Sequence, residues 1–152
     1  MANQPHAPSF ESILDTPANE IERPKPLPTG TYDCIVKGLY EEGVSSQKKT
    51  PFVKFTYAIQ SAGEDVDEAE LEEIGGLADK TIKDTYYTTP DAMFRLTDAL
   101  ANMGLDVEAE GVTVRQLLSE TPNCSIRILI GHRASEDGTQ IFAEVKRTMA
   151  VD

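Results

Sequence analysis

The sequence has no tryptophan, only two cysteines and two histidines, and few bases beside its acids: 14 Lys and Arg against 26 Asp and Glu in 152 residues. With His6 in the arm and His132 at a strand end, no histidine metal site or Ser-His-Asp triad is expected, and no phosphate-binding glycine motif or nucleophile elbow occurs. The run Glu64-Asp65-Val66-Asp67-Glu68 lacks the spacing and central glycine of a calcium loop. The expectation is therefore a non-enzyme with no cofactor and no metal. Cys34 and Cys124 both fall in apolar, strand-like stretches, where a small buried thiol is the ordinary reading. No apolar run approaches the roughly 18 residues of a membrane span, and the first nine residues carry neither a basic nor an apolar signal region. A cytoplasmic protein without membrane contact is expected.

What is present is a globular composition, 39% hydrophobic and 26% charged, with a net charge of -12. That charge is unevenly placed. Residues 61–74 contribute -7, residues 90–120 contribute -4 and residues 1–29 contribute -2, which leaves the remaining, strand-rich segments at +1. The acidity that would repel a phosphate backbone is segregated from the expected strands.

Six of the nine prolines lie within residues 1–28, which predicts an extended arm holding one apolar cluster, Phe10, Ile13 and Leu14, suited either to packing back onto the domain or to docking on a partner. Residues 29–152 form the expected domain. Strands are predicted over 31–39, 52–60, 80–88, 124–131 and 140–148. The clearest is the second, where Val53, Phe55, Tyr57 and Ile59 alternate with Lys54, Thr56, Ala58 and Gln60. Gly38 and Gly43 suggest a bulge and then a basic loop over 43–51. The acidic connection 61–74 has room for one or two helical turns ending at Gly75-Gly76. Thr89-Pro90-Asp91 reads as the start of a helix, with Thr89 as its N-cap, Phe94, Leu96, Ala99, Leu100 and Met103 mostly on one face, and Gly104 closing it. A shorter helix follows over 114–119, with Thr113 as cap, and the turn 135–139 joins the last two strands as a hairpin.

Three strands, a helix and two more strands give a mainly β fold with one or two helices, the element order of a five-stranded OB-like Greek-key barrel with its helix between strands 3 and 4. With the alternating apolar residues inside, Lys54, Arg127, Phe142 and Lys146 face outward, and Ile141, Ala143 and Val145 face the core. Taking Ile82 as core puts Lys83 and Tyr87 outside. With the loop bases Lys48, Lys49 and Arg133 these residues make a cation-aromatic face of the kind that binds single-stranded nucleic acid.

Three stretches, residues 27–36, Lys49-Thr50-Pro51-Phe52-Val53-Lys54-Phe55-Thr56, and Gly76-Leu77-Ala78-Asp79-Lys80, are similar to a group of small bacteriophage proteins often considered single-strand-binding candidates. The resemblance spans most of residues 10–150 and implies sequence-tolerant binding of single-stranded DNA in phage replication or recombination, in the host cytoplasm. The final Met149-Ala150-Val151-Asp152 departs from the acidic tail of bacterial single-strand-binding proteins, so C-terminal recruitment of partners is not expected. Two other readings are a virion structural or adaptor protein docking through its arm, as a homo-oligomer or on another protein, and an acidic mimic of DNA. The acids of 61–74 are also placed to compete with phosphate for the basic face.

Overall fold

The computed structural model describes Leu14, Pro17, Ala18 and residues 25–151. Among these the chain forms strands β1 (Gly30–Val36), β2 (Glu41–Val44), β3 (Pro51–Ala62), β4 (Thr81–Tyr87), β5 (Ser125–Ala134) and β6 (Ile141–Met149). Three short helices intervene: α1 (Glu68–Glu73), α2 (Met93–Asn102) and α3 (Val114–Leu118). The strands make one open antiparallel sheet in the order β2-β3-β1-β5-β6, with β4 also paired to β3. None of the helices described is long and apolar enough to cross a membrane.

The sheet is organised by β3. Its first residues pair with β2 and its last with β1, while β4 lies along its other edge from Phe52 to Ala58. The chain bends between β1 and β2 at Gly38, whose φ of +72° is a conformation that suits glycine. β1 then joins β3 to β5, and β5 folds back on β6. Among the described residues no ladder links β4 to β6. Instead α2 packs against both of them, and its Asn102 donates to Thr148 Oγ1 at 2.9 Å.

The alternation seen in the sequence becomes the core. Val53, Phe55, Tyr57 and Ile59 of β3 are buried, as are Tyr32, Cys34 and Val36 of β1 and Ile126, Ile128 and Ile130 of β5. The ambiguous β4 resolves with Ile82, Asp84 and Tyr86 inside and Tyr87 outside. Cys34 is a buried free thiol whose pKa burial pushes up to about 12, so it is chemically quiet. The Pro-rich stretch ends inside the domain: Leu27 is buried, and Tyr32 donates to the carbonyl of Pro28 at 2.6 Å. Asp67 caps α1 through Ala69 N and Glu70 N, and Thr113 with Gln116 forms a capping box on α3.

Several expectations need correction. Among the described residues there are six strands, because residues 41–44 pair with β3, so Gly43 belongs to β2 and the connecting turn is shorter than a 43–51 loop. Among the same residues three helices are found where one or two were expected. Residues 89–92 form a turn, with Ala92 N and Met93 N both donating to Thr89 O, and α2 begins at Met93 with no side-chain cap. Phe94 is 63% exposed. It lies two residues, or about 200°, from Leu96, off the stripe made by Leu96, Ala99, Leu100 and Met103. Ile141 is exposed, since it starts β6 opposite Ala134 at the free end of the hairpin. Cys124 precedes β5 and is half-buried, its Sγ donating to Glu120 O.

One buried group works against the fold. Asp84 is nine-tenths buried, and its Oδ2 has no hydrogen-bond partner among the described residues. Burial pushes its carboxyl up to about 6, with the Tyr86 hydroxyl and the Arg95 charge pulling the other way. An acid whose folded-state pKa lies above its unfolded value penalises folding when ionised, so this group's contribution improves as pH falls through about 6 towards 4. Asp84→Asn is expected to stabilise the protein by about 2 kcal/mol at pH 7.5, with the gain vanishing near pH 4. Urea unfolding of both proteins at the two pH values checks this; a variant equally or less stable at pH 7.5 contradicts it.

Candidate nucleic-acid interface

The pairing of β2, β3 and β4 sets side chains of all three strands side by side on the outer surface. Phe52 stands opposite Gly43 on one side and Tyr87 on the other; Lys54 stands between Glu41 and Thr85. The Phe52 and Tyr87 rings meet edge to face with centroids 6.5 Å apart, and Lys54 Nζ lies 5.4 Å from the Phe52 ring centroid. Gly43 leaves room for this: a Cβ there would lie 2.7 Å from Phe52 Cζ, so the ring would have to shift from its seat. Phe52 is absent from the face expected from sequence. Its signal was present, because it shares the parity of Lys54 and opposes that of Val53.

The hairpin joining β2 to β3 carries Lys48 and Lys49. It is held by Ser45 N to Thr50 O and Thr50 N to Ser45 Oγ, both 2.9 Å, with Lys49 in the left-handed region at φ +53°. Among the described residues no carboxylate pairs with Lys48, Lys49 or Lys54.

The remaining expected cations are differently placed. Lys83 is held by Glu41, which reaches across β3 to it at 3.1 Å. Arg127 on β5 makes a forked pair with Asp33 on β1, at 2.7 and 3.4 Å. A second aromatic-cation cluster sits on the β5-β6 hairpin. There Arg133 lies 5.2 Å from the Phe142 ring centroid, and Arg133 and Lys146 share Glu144. The hydrogen bond from Lys146 and the two positive charges hold the Glu144 carboxyl below its ordinary range. Along the sheet β1 lies between this hairpin and β3, so the expected residues fall in two clusters with the Arg127-Asp33 pair between them, while at the far edge Lys146 of β6 lines a cavity with Asp84 of β4.

The acids that pair with these cations come from strands. Asp65, in the acidic connection, instead accepts from Thr31 N and Thr31 Oγ1, which holds its carboxyl below the usual range and fixes the connection to the start of β1. Glu73 pairs with Lys25 at the same end of the sheet. His132 Nε2 hydrogen-bonds with Leu27 O at 2.7 Å, a structural contact. Of the arm residues, Leu14 is 81% exposed, while Phe10, Ile13 and His6 lie outside the described residues.

Beside the β2-β3-β4 patch runs an apolar groove of about 610 Å³, walled by Val44, Pro51 and Phe52 on the sheet side and Met93, Val114 and Leu118 on the helix side. The chain matches no protein-family model and no curated protein sequence.

Gly43→Ala is expected to lift the Phe52 ring from its seat, costing about 1 kcal/mol in unfolding experiments. It should also remove the contact between the Phe52 and Tyr87 rings that nuclear Overhauser spectra of the native protein detect. An unchanged ring pair in the variant contradicts the role given to Gly43.

Proposed function

We propose that this chain is a non-catalytic, sequence-tolerant binder of single-stranded DNA, acting through the β2-β3 hairpin and the outer face of β3 and β4. The observation that carries the reading is the Phe52-Tyr87 pair on an outer sheet face, bordered by three lysines that no carboxylate pairs among the described residues. Bases of any sequence stack on such rings, and the lysines supply the phosphate contacts.

Fold supports the same surface. We read β1 with β2, then β3, β4, α2, β5 and β6, as an OB-like Greek-key barrel whose seam between β4 and β6 is filled by a helix. In such barrels the usual ligand surface is the face of the second and third strands with the loops joining the first strand to the second and the fourth to the fifth. Those parts are here β3, β4, the hairpin with Lys48 and Lys49, and the β5-β6 hairpin, where Arg133 and Lys146 are already held by Glu144. A role in phage replication or recombination fits this reading and the sequence resemblance.

The ion pairs narrow the site. Lys83, Arg127, Arg133 and Lys146 would each have to give up a carboxylate to bind phosphate, so three lysines set the salt dependence. A single-strand slope of about 0.7 per phosphate contact gives a slope of log K against log salt of about -2. Fluorescence anisotropy with labelled oligothymidine is expected to return that value. Phe52→Ala should weaken binding about tenfold, within the ~1 to 3 kcal/mol of a base-aromatic stack, and Lys48→Glu with Lys49→Glu should abolish it. Arg133→Ala and Lys146→Ala should change it less than about twofold. Absence of salt-sensitive binding, or dominance of the β5-β6 residues, rules the proposal out.

A further inference from the structure

We propose that the groove between β2 and α3 receives the Phe10-Ile13-Leu14 segment of a second copy of this chain, giving a reciprocal, arm-exchanged dimer. The inference does not depend on DNA binding.

Three observations converge on this occupant. The groove is mainly apolar, its only charged lining being Glu42 and Arg115, which pair with each other at 2.8 Å, and Val44 at its edge is 59% exposed. An apolar trough of this kind suits a short amphipathic helix anchored at positions i, i+3 and i+4. Phe10, Ile13 and Leu14 have that spacing, and the chain offers the same pattern nowhere else in its arm. Charge agrees as well. The segment 9–15 carries Glu11 and Asp15 and no base, while the hairpin at the groove's edge carries Lys48 and Lys49 with no carboxylate partner among the described residues.

Reach decides between the chain's own groove and a neighbour's. The arm enters the domain at Lys25, fixed to Glu73 by a 2.8 Å ion pair at the end of the sheet where β1 starts. The groove lies at the opposite end, where β3 starts at Pro51. The twelve residues of β3 separate those ends by roughly 35 Å at 3.3 Å per residue. The eleven steps from Leu14 to Lys25 span roughly 36 Å only when fully extended. Seating in the same chain would need a straight path with nothing left to turn around the domain. A second copy needs no such path, and Leu14 stands 81% exposed. Two arms crossing between two chains close the symmetry, leaving no free arm and no empty groove.

Multi-angle light scattering of the full chain over a concentration series tests this, without nucleic acid. The wild type is expected to pass from one chain mass to two. Phe10→Asp with Leu14→Asp in the arm, and separately Val44→Glu on the exposed groove edge, should each raise the dimer dissociation constant at least about tenfold. Circular dichroism melts of the variants check that both still fold. Mixing the two variants restores one intact arm-groove contact per pair, and co-elution should return at intermediate concentration. A wild type that stays monomeric, a dimer that survives either variant, or a mixture that fails to associate overturns the proposal. A monomer in which the arm substitutions shift the Val44 and Val114 amide signals would place the arm on its own groove and equally overturn the exchange.

Discussion

The pairing of β3 with three neighbours is the constraint from which the rest of the structure follows. Because side chains alternate along a strand, one run of residues builds two surfaces at once. Val53, Phe55, Tyr57 and Ile59 supply the centre of the core, while Phe52, Lys54 and Thr56 are set on the outside in a fixed register against β2 and β4. A slip of one residue would exchange the two rows, burying Lys54 and exposing Phe55, so the hydrophobic core itself holds the outer face in place. The same strand sets the sheet's limits. β1 and β2 share one edge of β3 and β4 takes the other, and α2 packs on both β4 and β6, whose outer edges carry no ladder among the described residues.

Electrostatics then sorts the outer surface. The net charge of -12 is not a uniform field over the sheet, because several of the acids are engaged locally. Asp65 and Asp67 satisfy backbone N–H groups at the ends of β1 and α1. Asp33, Glu41 and Glu144 each engage a cation on the sheet. Exposed ion pairs of this kind contribute little to stability, yet they determine which cations are available to a ligand. Of the cations that no carboxylate pairs among the described residues, Lys48, Lys49 and Lys54 lie on the β2-β3 hairpin and the start of β3, beside the only aromatic pair on the outer face of β3 and β4, while Lys37, Lys80, Arg95 and Arg147 lie elsewhere.

Much of this was legible in the sequence. The alternation in β3, the Thr113 cap, the helical turns in the acidic connection, and the assignment of Ile82 inside and Tyr87 outside all rest on local pattern, and the structure carries them. The misses have physical causes. β2 is four residues long and mostly charged, with no apolar alternation to mark it; only its pairing with β3 makes it a strand. Phe94 and Ile141 are apolar yet exposed, because one lies off the helix stripe and the other at a hairpin's free end. The site suffered more than the fold. Asp33 and Arg127 are 94 residues apart in sequence, and neither that pair nor the bridge from Glu41 to Lys83 leaves any trace in local spacing. The expected single face was therefore divided by contacts that only tertiary structure creates.

The central claim is that the outer row of β3, with its hairpin, is the ligand surface and that the β5-β6 cluster is not. Titrating isotope-labelled protein with oligothymidine and following amide and side-chain shifts tests it residue by residue. The account predicts perturbations concentrated at Lys48, Lys49, Phe52, Lys54 and Tyr87, with Arg133, Phe142 and Lys146 unmoved. Shifts centred on Arg133, Phe142 and Lys146, or no shifts at low salt, would contradict it.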